Sequence, residues 1–456
     1  MSDLTKVFDY IEAHKQDYLD ELFTLLRCKS ISTTNEGVSE CAELLADIMR
    51  NAGIEHVQVF PTARHPVVYG DLIFDPSYPT QLVYGHYDVQ PADPIEAWDS
   101  DPFEPVIRDE KIYCRGCSDN KAQLFTYIKG MEAYRKINGE KLPINIKYLF
   151  EGEEEIGSEN LEQFVIEHKE LLKCDAAIYS DGHMHEMGYP ILLLGHKGMI
   201  QLEMTVTEAC KDTHSMRAPS IPSAMWKMVE VLHSLKDETG IVKIEGFYDD
   251  VREPTELEKE TARKIPVDIE AIKKSYGIDH FVQNREGDNY YYNIVFEPTC
   301  NIAGIWGGYT GQGYKTVLPN KATVKMDLRL VPNQDPFDIA EKLKKHIEKQ
   351  GFKGVEFKLF HGNFPARTPI DNPYVALAAK AVELGFGEKP VLFPSVGGGG
   401  PHYIFDRQMH IPVIEIPLAR ADQNNHAPNE SMGLRGFYCG IKMAASLIDI
   451  LAEKKQ

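Results

Sequence analysis

Runs of β-branched and aromatic residues alternate along this chain with amphipathic helical stretches, and few folds satisfy that order. Gln81–Tyr84 and Ile144–Phe150 are two such runs, and a third ends at Ser180. Between the first two, from about Lys121 to Ile137, Leu124, Ile128, Met131 and Tyr134 share one helical face. Strands separated by a helix are joined by crossovers rather than hairpins. The pattern therefore predicts an α/β domain with a mixed, mostly parallel sheet flanked by helices. Two helices, near Thr5–Leu26 and Gly37–Asn51, are expected ahead of the first strand.

From about Met199 the texture changes. Gln201–Thr207 alternates, a helix is predicted near Ser223–Leu235, and a polar segment near Asp249–Asp288 breaks the pattern. The strand Ala322–Val331, the helix Pro336–Lys349 and the strand Val355–Leu359 close this module. Alternation resumes after Pro365 with a helix near Tyr374–Leu384, strands at Val391–Phe393 and Val413–Ile416, and a last helix near Gly433–Leu451. At roughly 150 residues per domain, 456 residues exceed one core. The expected organisation is an α/β domain of residues 1–197 and 366–456, interrupted by a smaller α+β module of residues 198–365.

The formal charge of -20, with no basic stripe, argues against nucleic acid as a partner. No run of 18 apolar residues is present, and the opening Met1–Lys6 carries an acid and no apolar stretch, so a cytoplasmic protein without membrane attachment is expected. The eight cysteines are scattered and read as reduced thiols. Cys114 and Cys117 spell CxxC, but no second pair lies nearby to complete a zinc site, which favours two thiols in a tight turn.

Open α/β sheets build their sites where strands end. His86, Asp119, Glu154 or Glu155, Asp181 and His426 lie in or just past turns that follow strand-like runs. Imidazole and carboxylate suit zinc or a similar borderline ion, and a carboxylate on a tight turn can bridge two of them. Three carboxylates and one hydroxide balance two divalent ions, which makes such a centre cheap to bury. Asp88, two residues past His86, is placed to accept the second imidazole N–H. A glutamate beside a ligand, such as Glu154, is left free as a general base for amide hydrolysis.

The segments His86–Pro91, Arg115–Lys121, Glu151–Ser158, Ser180–Asp181 and His426–Glu430 follow the order found in the carnosinase/aminoacylase family of dinuclear zinc metallopeptidases. The chain resembles that family over nearly its whole length, most closely the cytosolic non-specific dipeptidase branch. The resemblance implies two zinc ions per subunit, with manganese as a possible substitute. His86 and Asp181 would hold one ion, Glu155 and His426 the other, and Asp119 would bridge them. It also implies that Glu154 is the general base, with Asp88 behind His86, and that a cis peptide follows Asp119.

By the same resemblance, the inserted module is a lid and dimerisation domain. Asp212–Ser215 matches a segment whose histidine, here His214, reaches a neighbouring subunit's site and steadies the oxyanion, which implies a homodimer. Thr316 in Lys315–Pro319, Arg329 in Leu328–Pro332 and Gly398 in Gly397–Gly400 match segments that line the substrate pocket. Arg329 suits a substrate carboxylate because its planar fork donates two hydrogen bonds. The chain departs from the family at Cys114, Asn120, Ala122 and Ser395, and it carries Arg420 where a small residue is usual. Arg420 adds a cation and points to a substrate with an extra acidic group.

Each of these residues has a plainer reading when taken alone. His86 would be a hydrogen-bonded structural histidine, Glu151–Glu155 a solvated helix start, and Asp119 and Asp181 helix caps. Asp212–His214 would be a polar turn, Gly397–Gly400 a flexible loop, and Arg329 and Arg420 ion-pair partners. Taken together, the expectation is a metal-dependent hydrolase of dipeptides or small peptides. The rivals are an N-acyl amino acid deacylase with the same chemistry, and a non-catalytic metal-binding scaffold.

Overall fold

A computed structural model describes residues 3–453 apart from 283, 284, 286 and 288. The chain forms two compact units: residues 1–194, 368–394 and 404–456 make the larger, and residues 195–367 with 395–403 the smaller.

The larger unit is built on an eight-stranded sheet. Its strand order is Glu55–Phe60, Val67–Leu72, Asn145–Glu151, Thr80–His86, Ala176–Tyr179, Val413–Glu415, Ile191–Leu193 and Val391–Phe393. Thr80–His86 runs parallel to both Asn145–Glu151 and Ala176–Tyr179, with His86 opposite Glu151, while the pairings toward Glu55–Phe60 are antiparallel. This is the mixed sheet that the alternation predicts. The helix Lys121–Asn138 is the crossover between Thr80–His86 and Asn145–Glu151, and it is buried along most of its length. Gly130 lets it touch Leu434–Ala452: a Cβ there would lie 2.7 Å from that of Ala444.

The expected first helix is two, Leu4–Ala13 and Lys15–Arg27. They break at His14, whose φ is -112° and whose ring nitrogen lies 2.8 Å from the Tyr10 carbonyl. The strands Glu55–Phe60 and Val67–Leu72 are additions to the sequence reading.

The smaller unit is a four-stranded antiparallel sheet in the order Thr299–Gly307, Lys321–Leu330, Gly198–Thr207 and Val355–Asn363. Ile200, Leu202, Met204, Val324, Met326 and Leu328 pack with Met228 and Val231 of the helix Ala224–Leu235 and Leu343 of the helix Pro336–Lys349. Asp335 caps the latter helix by accepting the Phe337 and Asp338 amides, with Pro336 at its first position. The polar segment contains the short helices Glu256–Arg263 and Ile269–Tyr276, and only its residues 283, 284, 286 and 288 lie outside the described residues. Among the described residues no helix is long and apolar enough to cross a membrane.

Candidate metal centre

The parallel strands of the larger unit deliver their last residues to one edge of the sheet. His86 ends its strand, Glu151 ends the neighbouring one, and Asp181 follows Tyr179 by two residues. Asp119 sits just before the crossover helix, and His426 lies on the loop after Val413–Glu415. These residues form two groups able to hold an ion: His86, Asp119 and Asp181, and Asp119, Glu155 and His426.

In the first group His86 is fully buried, with Nε2 3.0 Å from Asp119 Oδ1 and 3.4 Å from Asp181 Oδ2. Its other nitrogen, Nδ1, faces the Asp88 carbonyl at 3.2 Å and Asp88 Oδ1 at 3.3 Å. A carbonyl only accepts, so Nδ1 carries the proton. Among the described residues the buried Nε2 has no hydrogen-bond partner of its own and, in the neutral ring, turns a lone pair toward two carboxylates. A cation at that point resolves the repulsion. In the second group His426 Nε2 lies 3.1 Å from Asp119 Oδ2 and 3.1 Å from Glu155 Oε2. Each oxygen of Asp119 thus serves a different group.

The electrostatics carry the same message. Burial opposes a charge on His86, yet Asp119, Asp181 and Asp88 raise it well above its ordinary range. Asp119 and Glu155 raise His426 to about 10. Burial works against the Asp119 charge too, but the two histidines hold it well below the usual range. Burial, then the Asp119 charge, pushes Glu155 up to about 7, and burial lifts Glu154 well above a normal glutamate. The pocket carries more negative charge than its own groups can balance, and imidazole–carboxylate donors in this arrangement fit borderline divalent ions.

The Glu151–Glu155 run is not a solvated helix start. Glu151 accepts from Tyr84 Oη and Ser158 Oγ, while Glu153 accepts from the Thr62 hydroxyl, the His65 amide and the Asn160 side chain, and both acids are buried. Glu154 and Glu155 share one 3-10 turn, Glu154–Ile156, and Gln90 Nε2 holds Glu155 through its Oε2 at 3.0 Å.

Sequence reasoning did not single out the supports behind these ligands. Asn120 donates to Ser180 O at 2.7 Å while its Oδ1 takes the His86 amide, which ties two ligand-bearing strands together. That role needs an amide, because a carboxylate cannot donate. Gln123 bridges Ser118, Gly182 and Leu418. Glu430 receives the loop before Asp119. The Asp119–Asn120 peptide is cis, as the resemblance implies. Cys114 and Cys117 are buried free thiols in a tight turn, Cys117 N donating to Cys114 O at 3.2 Å, and burial pushes both thiols up. Arg420 donates to Asp422 at 2.9 Å and lines a cavity of about 590 Å³ whose charged lining mixes Lys111 and Arg435 with Asp109, Glu110, Glu186 and Asp422.

Within the smaller unit His214 and Thr316 meet, with Nε2 3.1 Å from the Thr316 hydroxyl, because Thr213–His214 pairs with Val317–Leu318. His214 Nδ1 accepts the Met216 amide, which puts the proton of the neutral ring on Nε2. Arg329 lies 3.8 Å from Asp327. Gly399 keeps the space beside Arg329 open: a Cβ there would lie 3.9 Å from Arg329 Nη1 and 3.2 Å from Asn363 Nδ2. The Gly398 carbonyl accepts the Lys197 amide at 3.0 Å. Lys197 itself is buried, and sequence reasoning passed it over.

Similar proteins share this whole architecture. The Beta-Ala-His dipeptidase of Mus musculus is 28% identical over 99% of this chain and 96% of its own. A dipeptidase structure from Saccharomyces cerevisiae superposes with a TM-score of 0.81 at 26% identity, covering 99% of each chain. The structure of an M20-family metallo-carboxypeptidase from Sulfolobus solfataricus superposes with a TM-score of 0.87 at 35% identity, covering 96% of this chain and 99% of that one. The model of peptidase family M20/M25/M40 matches residues 82–450, a span that includes every residue of both metal-competent groups, and the chain belongs to that family.

Proposed function

We propose that the chain is a two-zinc dipeptidase of the cytoplasm, acting as a homodimer. The observation that carries this reading is Asp119, whose two oxygens each face a different histidine, so that one carboxylate serves two ion positions. Zinc suits the imidazole–carboxylate donors, and manganese suits the same set. The Mus musculus and Saccharomyces cerevisiae relatives are named as dipeptidases, which supports dipeptides as substrates.

When bound, such ions polarise the scissile carbonyl and acidify the attacking water. Glu154, on the turn beside Glu155, takes the water's proton and returns it to the leaving amine. Asp88 keeps His86 in its Nδ1–H tautomer. His214, with its proton on Nε2, donates to the developing oxyanion of the partner subunit's substrate. Arg329 takes the substrate carboxylate, with Thr316 and the Gly398 backbone beside it in the pocket lining. Arg420, whose Nη1 is free of the Asp422 bond, favours substrates with an additional acid.

Two further observations support this reading. All eight cysteines are free thiols, as suits a reducing compartment. The sheet of the smaller unit ends in the strand Thr299–Gly307, whose outer edge has no strand partner among the described residues and which exposes Ile302, Ile305 and Trp306, a face suited to a second copy.

A panel of dipeptides, N-acetyl amino acids and tetrapeptides tests the assignment. Dipeptides are expected to be hydrolysed fastest, and preference for N-acetyl amino acids would overturn it in favour of deacylation. The 35% identity to the Sulfolobus solfataricus metallo-carboxypeptidase favours a second reading, in which C-terminal residues are released from longer chains. Efficient trimming of the tetrapeptides would select that one.

A further inference from the structure

We infer that Glu430, locked by Arg115, is the positioning residue that sets Asp119 between the two ion positions, an inference that rests on the two-ion reading above. Glu430 is fully buried and collects five donors from a single loop. Its Oε2 accepts from Arg115 Nη1 at 2.7 Å and the Gly116 amide at 3.0 Å. Its Oε1 accepts from the Ser118 amide at 2.8 Å, the Ser118 hydroxyl at 2.9 Å and the Asp119 amide at 3.1 Å. Four of the five are groups that can only donate. The site is thus an anion cradle, and its occupant is a carboxylate from a segment more than 300 residues away.

Arg115 extends the hold to the other ligand segments. Its Nη2 donates to Pro91 O at 3.2 Å, on the segment that begins with His86, and to Ala427 O at 3.5 Å, next to His426. One buried ion pair therefore fastens the chain around His86, Asp119 and His426 to a common point. Arg115 also neutralises the Glu430 charge, so the clamp adds no competing anion beside the ions. Glu430 touches neither substrate nor ion in this scheme. It acts through the Asp119 backbone, whose placement decides whether the two Asp119 oxygens face His86 and His426 together.

Groups that orient metal ligands typically alter metal affinity or activity by about 10–100-fold when changed. Glu430→Gln turns an amide N–H₂ toward Arg115 and Gly116, donor against donor, while retaining the size of the side chain. Ser118→Ala removes only the hydroxyl donor and keeps the four N–H donors to Glu430. For the full-length wild type and both variants, zinc content is measured by elemental analysis, zinc affinity by chelator competition, and melting temperature on the metal-free protein. Glu430→Gln is expected to weaken zinc binding by about 10–100-fold. Ser118→Ala is expected to weaken it by about threefold or more, a readout separate from any fall in the metal-free melting temperature. At saturating zinc both variants regain kcat without a change in KM. Zinc affinities within twofold of wild type in both variants, whatever their melting temperatures, would reduce Glu430 to a structural role and overturn the inference. A wild type that takes up one zinc or none overturns the two-ion reading and the clamp with it.

Discussion

Asp88 Oδ1 accepts the backbone amide of Glu154 at 3.2 Å. Its other oxygen takes the Glu155 amide at 3.1 Å, so the carboxylate expected to serve His86 also fixes the turn that carries the proposed base and a proposed ligand. The three groups that face that carboxylate, His86 Nδ1 and the amides of Glu154 and Glu155, all donate. Asp88→Asn forces an amide N–H₂ against one of them, and metal affinity or kcat should fall by about 10–100-fold. Metal analysis and steady-state kinetics on the variant check this, and wild-type values in both would remove Asp88 from the site.

Glu154→Gln separates the base from the ligands. The variant retains every residue of the two metal-competent groups, so it should keep its full metal content. Loss of the proton acceptor should lower kcat by about 10²–10⁴. Full activity at wild-type metal content would refute the assignment.

His426→Ala strips one group and leaves the other whole. Its side chain is 52% exposed, so truncation costs little packing, and His86, Asp119 and Asp181 remain. Metal content should drop from two ions toward one, with activity falling by orders of magnitude. Two tightly held ions in the variant would contradict the pairing of His426 with Glu155.

Lys197 gives a pH dependence that can be read apart from the metal centre. Burial first, then the charges of Arg367 and Arg329, lower its pKa to about 8, against about 10.4 for a free lysine. Between those values the unfolded chain holds the proton and the folded one does not. Stability therefore rises with pH across that window, and the buried charge is a cost below it. In Lys197→Met this contribution is absent. The variant's melting temperature minus that of the wild type should become more negative as pH rises from about 8 to about 10. A difference that does not move with pH would show that Lys197 stays charged in the fold.

Arg420→Ala tests the pocket. Arg420 is 58% exposed and paired to Asp422, so truncation should cost no more than about 1 kcal/mol of stability. The ratio of acidic to neutral dipeptide turnover should fall, and an unchanged ratio would leave the guanidinium as a surface ion pair.

Local regularity is what made parts of this fold readable. Pro336–Lys349 matches its predicted span because a capping aspartate, a proline at the first position and a 3.6-residue apolar period agree. Val67–Leu72 escaped because Gly70 and Asp71 interrupt its apolar run. Gly70 is there to admit the helix Val38–Asn51: a Cβ would lie 2.8 Å from Met49 Cε. The break at His14, where the ring faces the Tyr10 carbonyl, lies within an apolar period that does not register it. In the candidate centre, the residue types able to hold an ion and their positions at strand ends were legible. The division of labour within Glu151–Glu155 was not, because it depends on Tyr84, Thr62, His65 and Asp88 arriving from other segments. Arg115 and Glu430 both lie inside segments singled out from the sequence, yet their pairing spans 315 positions and no local spacing encodes it.

That separation orders events during synthesis. His86, Asp119 and Asp181 leave the ribosome hundreds of residues before His426, which lies 307 positions after Asp119. A nascent or truncated chain that stops short of this loop holds one ion-binding group without the second, and the cradle before Asp119 without the carboxylate that fills it. Closing so long a loop is slow beside local helix formation, so it falls late in folding. Both ion-binding groups and the cradle are complete only once the loop carrying His426 and Glu430 has been made.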